Sequence, residues 1–117
     1  MKIEKVFPWS AELDTGLSDV FGRDYAAIVK GVNRRWLEAY RLWDGEAYMV
    51  TRVEHGVLTC CCYQGSRVVE AMRWMRGRSA ALGLKAIDFH TKRPALQRLL
   101  REFRFELDEY VFRAEVA

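Results

Sequence analysis

From Val57 to Phe89 the chain reads as an apolar run, an amphipathic stretch and a second apolar run, an order that few folds can accommodate. Val57 to Tyr63 has the character of a strand, the residues up to about Leu82 that of a helix, and Leu84 to Phe89 that of a strand returning from it. Within the helix Val68, Val69, Met72, Met75, Ala80 and Leu82 face one way, while Arg67, Glu70, Arg73 and Arg78 largely face another. Gly83 supplies the stop. Strand, helix and strand in so short a stretch make a β-α-β unit, which places ligands at the carboxyl ends of the strands, near a helix start.

The flanking sequence completes the pattern. Lys2 to Phe7 predicts a first strand, and Leu13, Leu17, Val20, Phe21, Tyr25, Ile28, Val29 and Val32 recur at helical spacing. Gly22 interrupts that spacing and Asp24 can cap a restart, so two helices are expected, about 11–21 and 24–33. Trp36 to Trp43, Glu46 to Val53 and Val57 to Tyr63 then predict a three-strand meander. Asp44-Gly45 is a two-residue hairpin signal, and Gly56 stands where the second turn commonly requires a positive φ. Beyond the crossover, Thr91 and Pro94 mark a helix start, Ala95, Leu96, Leu99, Leu100 and Phe103 give a second helical stripe, and Phe105 to Val116 is strand-like. The expected architecture is α+β with a mixed sheet, an antiparallel meander followed by β-α-β-α-β, in a single domain over residues 1–117.

Composition narrows the function classes. With 117 residues, 50% of them hydrophobic and 30% charged, the chain suits one globular core and is neither disordered nor collagenous. No apolar run approaches the roughly 20 residues a membrane helix needs. The opening segment, Met1-Lys2-Ile3-Glu4-Lys5-Val6-Phe7-Pro8, lacks the apolar centre of a secretory signal, so a cytoplasmic location is expected. Cys60, Cys61 and Cys62 are consecutive, and neighbours on a strand point to opposite faces, so reduced, buried thiols are expected and no metal site. Of the charged groups, residues 1–64 hold 8 basic and 9 acidic, and residues 65–117 hold 11 and 7, which puts the positive field in the C-terminal half.

The junction Tyr63-Gln64-Gly65-Ser66-Arg67-Val68-Val69 is the candidate binding site, because N–H groups at a helix start and the helix dipole together attract anions. This segment, in this order of elements, resembles the GNAT superfamily of acetyl-coenzyme A dependent N-acetyltransferases. Its loop is written Q/R-x-x-G-x-G/A in that family, and Gln64 matches the first position. The stretch Arg93 to Phe105 resembles the family's late helix, with Leu99 and Phe105 matching. The resemblance implies that cofactor contacts come from Cys60, Cys61 and Cys62 on the strand edge and from Gln64, Gly65, Ser66, Arg67, Val68 and Val69 in the loop. Arg67 and Val69 stand where the family has glycine, Leu100 where many members carry a proton-donating tyrosine, and Arg104 where glycine is usual. A guanidinium at Arg67 can either pair with a phosphate or occupy the phosphate's place.

Acyl transfer to an amine needs a group that accepts a proton near neutral pH, and His90, following the strand Leu84 to Phe89, is the candidate. Two readings result. One is an acyl-coenzyme A dependent N-acyltransferase using acetyl-coenzyme A and a small-molecule or protein amine acceptor. The other is a non-catalytic GNAT-like protein of a phage or mobile element that has lost the cofactor and binds a host or virion protein. A nucleic-acid role resting on Arg73, Arg76, Arg78, Arg98 and Arg101 ranks below both, since no reading motif accompanies them.

Overall fold

Among residues 2–20, 22–90, 106–108 and 111–115, which the computed structural model describes, the elements follow the order β1 (Ile3–Val6), α1 (Ala11–Gly16), α2 (Tyr25–Asn33), β2 (Glu38–Leu42), β3 (Ala47–Glu54), β4 (Val57–Gly65), α3 (Val68–Ala81), β5 (Ala86–His90), β6 (Glu106–Asp108) and β7 (Val111–Glu115). The strands pair in the order β1-β2-β3-β4-β5-β7-β6, a mixed sheet of the α+β class. Two compact units divide the chain: residues 1–52 with 61–68, and residues 53–60 with 69–117. No helix of the described residues is long and apolar enough to cross a membrane.

In the first unit β1, β2 and β3 pair antiparallel, with Ile3 opposite Leu42 and Leu42 opposite Ala47. The helical stripe of the sequence becomes its core: Leu13, Leu17 and Val32 from the helices bury against Val6, Ala39, Val50 and Cys62 from the strands. Trp9 fastens the helices to each other. Its indole donates to the Asp14 carboxylate at 2.9 Å, its backbone N–H donates to Asn33 Oδ1 at 2.8 Å, and its ring meets Tyr25 edge-on at 6.1 Å.

The second unit holds the crossover. The first half of β4 runs parallel to β5, from Val57 opposite Ala86 to Cys60 opposite Phe89. Between them α3 buries Ala71, Met72, Met75 and Ser79 and ends as its glycine foretells. Gly83 has a φ of 72°, its N–H donates to Ala80 O, and the Leu84 N–H reaches back to Ser79 O at 2.9 Å, a Schellman closure.

Six expectations change, two of them at helix ends: the first helix, expected over about 11–21, stops at Gly16, and Ala80 and Leu82, expected on the apolar face of the third, are exposed. The Asp44-Gly45 signal does not make a two-residue hairpin: Leu42 pairs with Ala47, so four residues intervene, and Trp43–Gly45 form a 3-10 turn. Trp43 is buried and its N–H still pairs with Lys2 O at 2.7 Å, but its φ of 47° and that of Asp44, 57°, take the backbone out of the strand. The compact turn is instead at His55 and Gly56, with φ of 53° and 76°, the paired left-handed angles of a type I′ hairpin. Asp24 does precede α2, yet its side chain makes no capping hydrogen bond. The predicted single strand from Phe105 to Val116 is two, and β7 inserts antiparallel between β5 and β6. His90, expected in a loop, is the last residue of β5, opposite Val111.

Candidate functional site

The β4-to-α3 junction is shaped by backbone geometry before any side chain acts. Gly65 has a φ of 129°, and a Cβ there would lie 2.3 Å from Glu46 O and 2.5 Å from Ala47 Cα. Only glycine lets the end of β4 run so close to the start of β3. The Ser66 N–H then donates to Glu46 O at 3.2 Å, while Tyr63 OH donates to Ser66 O at 2.5 Å, so the loop is pinned from both sides. Arg67 follows with a φ of 59°, and α3 begins at Val68. The first N–H groups of any helix lack partners within the helix, and here they belong to Val68, Val69 and Glu70.

The Arg67 side chain turns toward the β2–β3 loop. Its Nη1 stands 3.4 Å from Glu46 Oε2, and its guanidinium carbon lies 5.2 Å from the centre of the Trp43 ring. Both partners of the ion pair are about half exposed, so water screens their attraction and the arginine can exchange one anion for another at small cost. Trp43 and Asp44 take φ of 47° and 57°, and a bulky side chain in that region is strained. Strained backbone on both sides therefore brings Trp43 and Arg67 together.

Gln64 has a local task. Its carboxamide oxygen accepts from the Asp19 N–H at 2.8 Å, and its nitrogen donates to Asp19 Oδ2 at 3.3 Å, tying β4 to the connection between α1 and α2. Of the three cysteines, Cys60 and Cys62 are buried and Cys61 is partly so. Burial, with smaller contributions from Cys61 and Asp24, pushes the Cys62 thiol up to about 12, so it is neutral at physiological pH and no nucleophile. Cys61, Cys62, Gln64, Gly65, Ser66, Arg67 and Val68 belong to the first unit, whereas Cys60, Val69 and the half-buried His90 belong to the second. Leu99, Leu100, Arg104 and Phe105 lie outside the described residues.

A polar cluster in the first unit escaped the sequence reading. Glu12 on α1 receives two hydrogen bonds from the Arg41 guanidinium, at 2.5 and 2.8 Å, and a third from Tyr48 OH at 2.6 Å. The bonds from Arg41 and then from Tyr48 hold the Glu12 carboxyl at about 2, against an ordinary 4.5. Burial and the adjacent Glu12 raise the Tyr48 phenol. A carboxylate so strongly stabilised is a poor general base. The cluster fastens α1 to β2 and β3, and Tyr48 fits beneath α1 only because Gly16 has no Cβ, which would stand 2.3 Å from the ring. Partners 29 and 36 residues apart leave no local signal in a sequence.

Comparison with known proteins gives the fold a context. No family model and no curated protein matches the chain. Among solved structures, Ard1 from Thermoplasma volcanium superposes with a TM-score of 0.72 at 9% identity, over 99% of this chain and 97% of that one. A GNAT-family acetyltransferase from Staphylococcus aureus gives 0.68 at 8% identity, covering 99% and 100% of the two chains. A Bacillus subtilis acetyltransferase in complex with CoA gives 0.60 at 11%, covering 96% and 95%. The chain thus has the fold of the GNAT acetyltransferases, with its β-α-β crossover in the expected place.

Proposed function

We propose that this protein is an acyl-coenzyme A dependent N-acyltransferase that binds its cofactor's diphosphate at the start of α3. The observation that carries this reading is the φ of 59° at Arg67, in the left-handed region that glycine ordinarily fills. The residue there is arginine, while the backbone follows a course open to glycine. The Arg67 guanidinium, held beside Glu46 and Trp43 by a half-exposed ion pair, is the charge that would pair with a diphosphate.

Bound acyl-coenzyme A would supply an activated thioester. The acceptor amine would lose a proton, attack the thioester carbonyl and release the coenzyme A thiol. We assign the proton-accepting role to His90 by residue type, since histidine titrates near neutrality.

Calorimetric titration of acetyl-coenzyme A into the wild type and into Arg67→Gly tests the proposal. Saturable binding by the wild type, weakened on the order of tenfold in the variant, is the expected result for a phosphate-pairing arginine. No binding by the wild type overturns it.

A second reading has two observations behind it. The Ser66 N–H is already spent on Glu46 O, and the Glu70 carboxylate sits in the first turn of α3, where it competes with any anion for the helix dipole. If Arg67→Gly bound acetyl-coenzyme A and the wild type did not, the chain would be a non-catalytic member of the fold that binds a protein partner.

A further inference from the structure

Helix α2 ends in the same closure as α3, but with an arginine where α3 has glycine. The Arg35 N–H donates to Val32 O at 3.1 Å and the Trp36 N–H to Gly31 O at 2.9 Å, and Arg35 holds a φ of 63°. An L side chain is disfavoured at that position, so its presence calls for a use. The turn sets a group of cations and rings on the surface. Lys30 Nζ and the Arg34 guanidinium lie 6.0 and 5.3 Å from the Trp36 ring centre, and Arg35 lies 4.3 Å from that of Phe7. Trp36 is 63% exposed and Phe7 45%. Lys30, Arg34 and Arg35 form no ion pair with the described residues, whereas the nearby Glu38 pairs with Lys5 at 2.7 Å and accepts a hydrogen bond from the Tyr40 hydroxyl. Beside the rings a small open pocket of about 160 Å³ has Phe7, Arg35, Leu37 and Glu38 among its walls.

We propose that this surface, from Lys30 to Trp36 with Phe7, binds single-stranded nucleic acid. Two exposed aromatic residues, each with a guanidinium over its ring, offer stacking groups for bases, and three cations with no carboxylate partner among the described residues offer the charge that phosphates complement. An acidic peptide would use the cations and leave both rings idle. The surface draws on residues other than the C-terminal arginines considered from sequence, and it stands independently of acyl transfer.

Fluorescence anisotropy with labelled oligothymidylate and oligouridylate of about 12 nucleotides tests it, the two arms separating DNA from RNA. Binding should be saturable and should weaken with salt at a log–log slope near −2, about 0.7 for each of three phosphate contacts. Trp36→Ala should cost on the order of tenfold in affinity. Arg35→Gly should weaken binding and flatten the slope by about 0.7 while leaving the fold at least as stable, which separates a binding role from a structural one. Absence of binding to both oligonucleotides, unchanged affinity in Trp36→Ala, or equal competition by polyglutamate would each overturn the proposal.

Discussion

The guanidinium of Arg67 and the ring of Trp43 face each other at 5.2 Å, although both residues hold backbone angles their side chains disfavour. A contact between two strained residues has to be stabilised by its surroundings, and here Glu46 contributes a carboxylate for the guanidinium and a carbonyl for the loop.

That arrangement separates two substitutions at one position. Arg67→Ala and Arg67→Gly remove the same ion pair and ring contact, but only glycine relieves the φ of 59°. Urea denaturation should find the alanine variant about 1 kcal/mol less stable than the glycine variant. Equal midpoints would mean that the left-handed angle is not held in solution.

Gly65 admits no such choice. Gly65→Ala meets the Glu46 carbonyl, which is backbone and cannot swing aside, at a φ of 129° that L residues rarely adopt. A loss of roughly 2–4 kcal/mol is expected, read from the same denaturation curves.

Acid should loosen the attachment of α1. The Glu12 carboxyl is depressed from 4.5 to about 2, so its contribution is present above pH 4.5 and is lost as pH falls through about 2. Because about a third of each partner faces water, the contribution is roughly 1–2 kcal/mol, below what the full shift would imply. Wild type and Glu12→Gln should therefore differ in melting temperature at pH 7 and converge near pH 2.

Thiol chemistry offers a check on burial. With Cys62 pushed up to about 12 and Cys60 buried, a disulfide reagent at pH 8 should leave both unreacted in the native protein and modify them once it is denatured. Cys61, partly exposed, should react first. Rapid native-state modification of Cys62 would show that its strand opens readily.

The hairpin at His55 should accept improvement. Its left-handed φ of 53° suits asparagine better, and His55→Asn before Gly56 should raise stability by a few tenths of a kcal/mol. A calorimetric melt would register a small increase.

How much of this was legible depended on the range of the determining interaction. Periodicity over a few residues placed α2 and the crossover and the start of α1, because Leu13, Leu17 and Val32 bury the face their spacing implies, but it carried α1 to about 21 where the helix ends at Gly16. Gly83 ended α3 for a reason contained in its own geometry. The turns were harder to assign. Asp44-Gly45 carries the stronger hairpin signal, but Trp43 and Asp44 take left-handed φ of 47° and 57°, which no local pattern announces. The Glu12, Arg41 and Tyr48 cluster was invisible for the same reason. At the candidate site the identity of Arg67 could be read, whereas its direction could not, since Glu46 and Trp43 set it from another strand connection.

Insertion of β7 between β5 and β6 also bears on how the protein is made. A ribosome delivers the strands in numerical order, so β5 is complete while the neighbour that will flank it has yet to be synthesised. Until residue 115 has emerged, one long side of β5 keeps its peptide groups unclaimed, and such an edge recruits whatever extended chain is near. In the nascent protein, β5 is where assembly on the polysome would begin to go wrong.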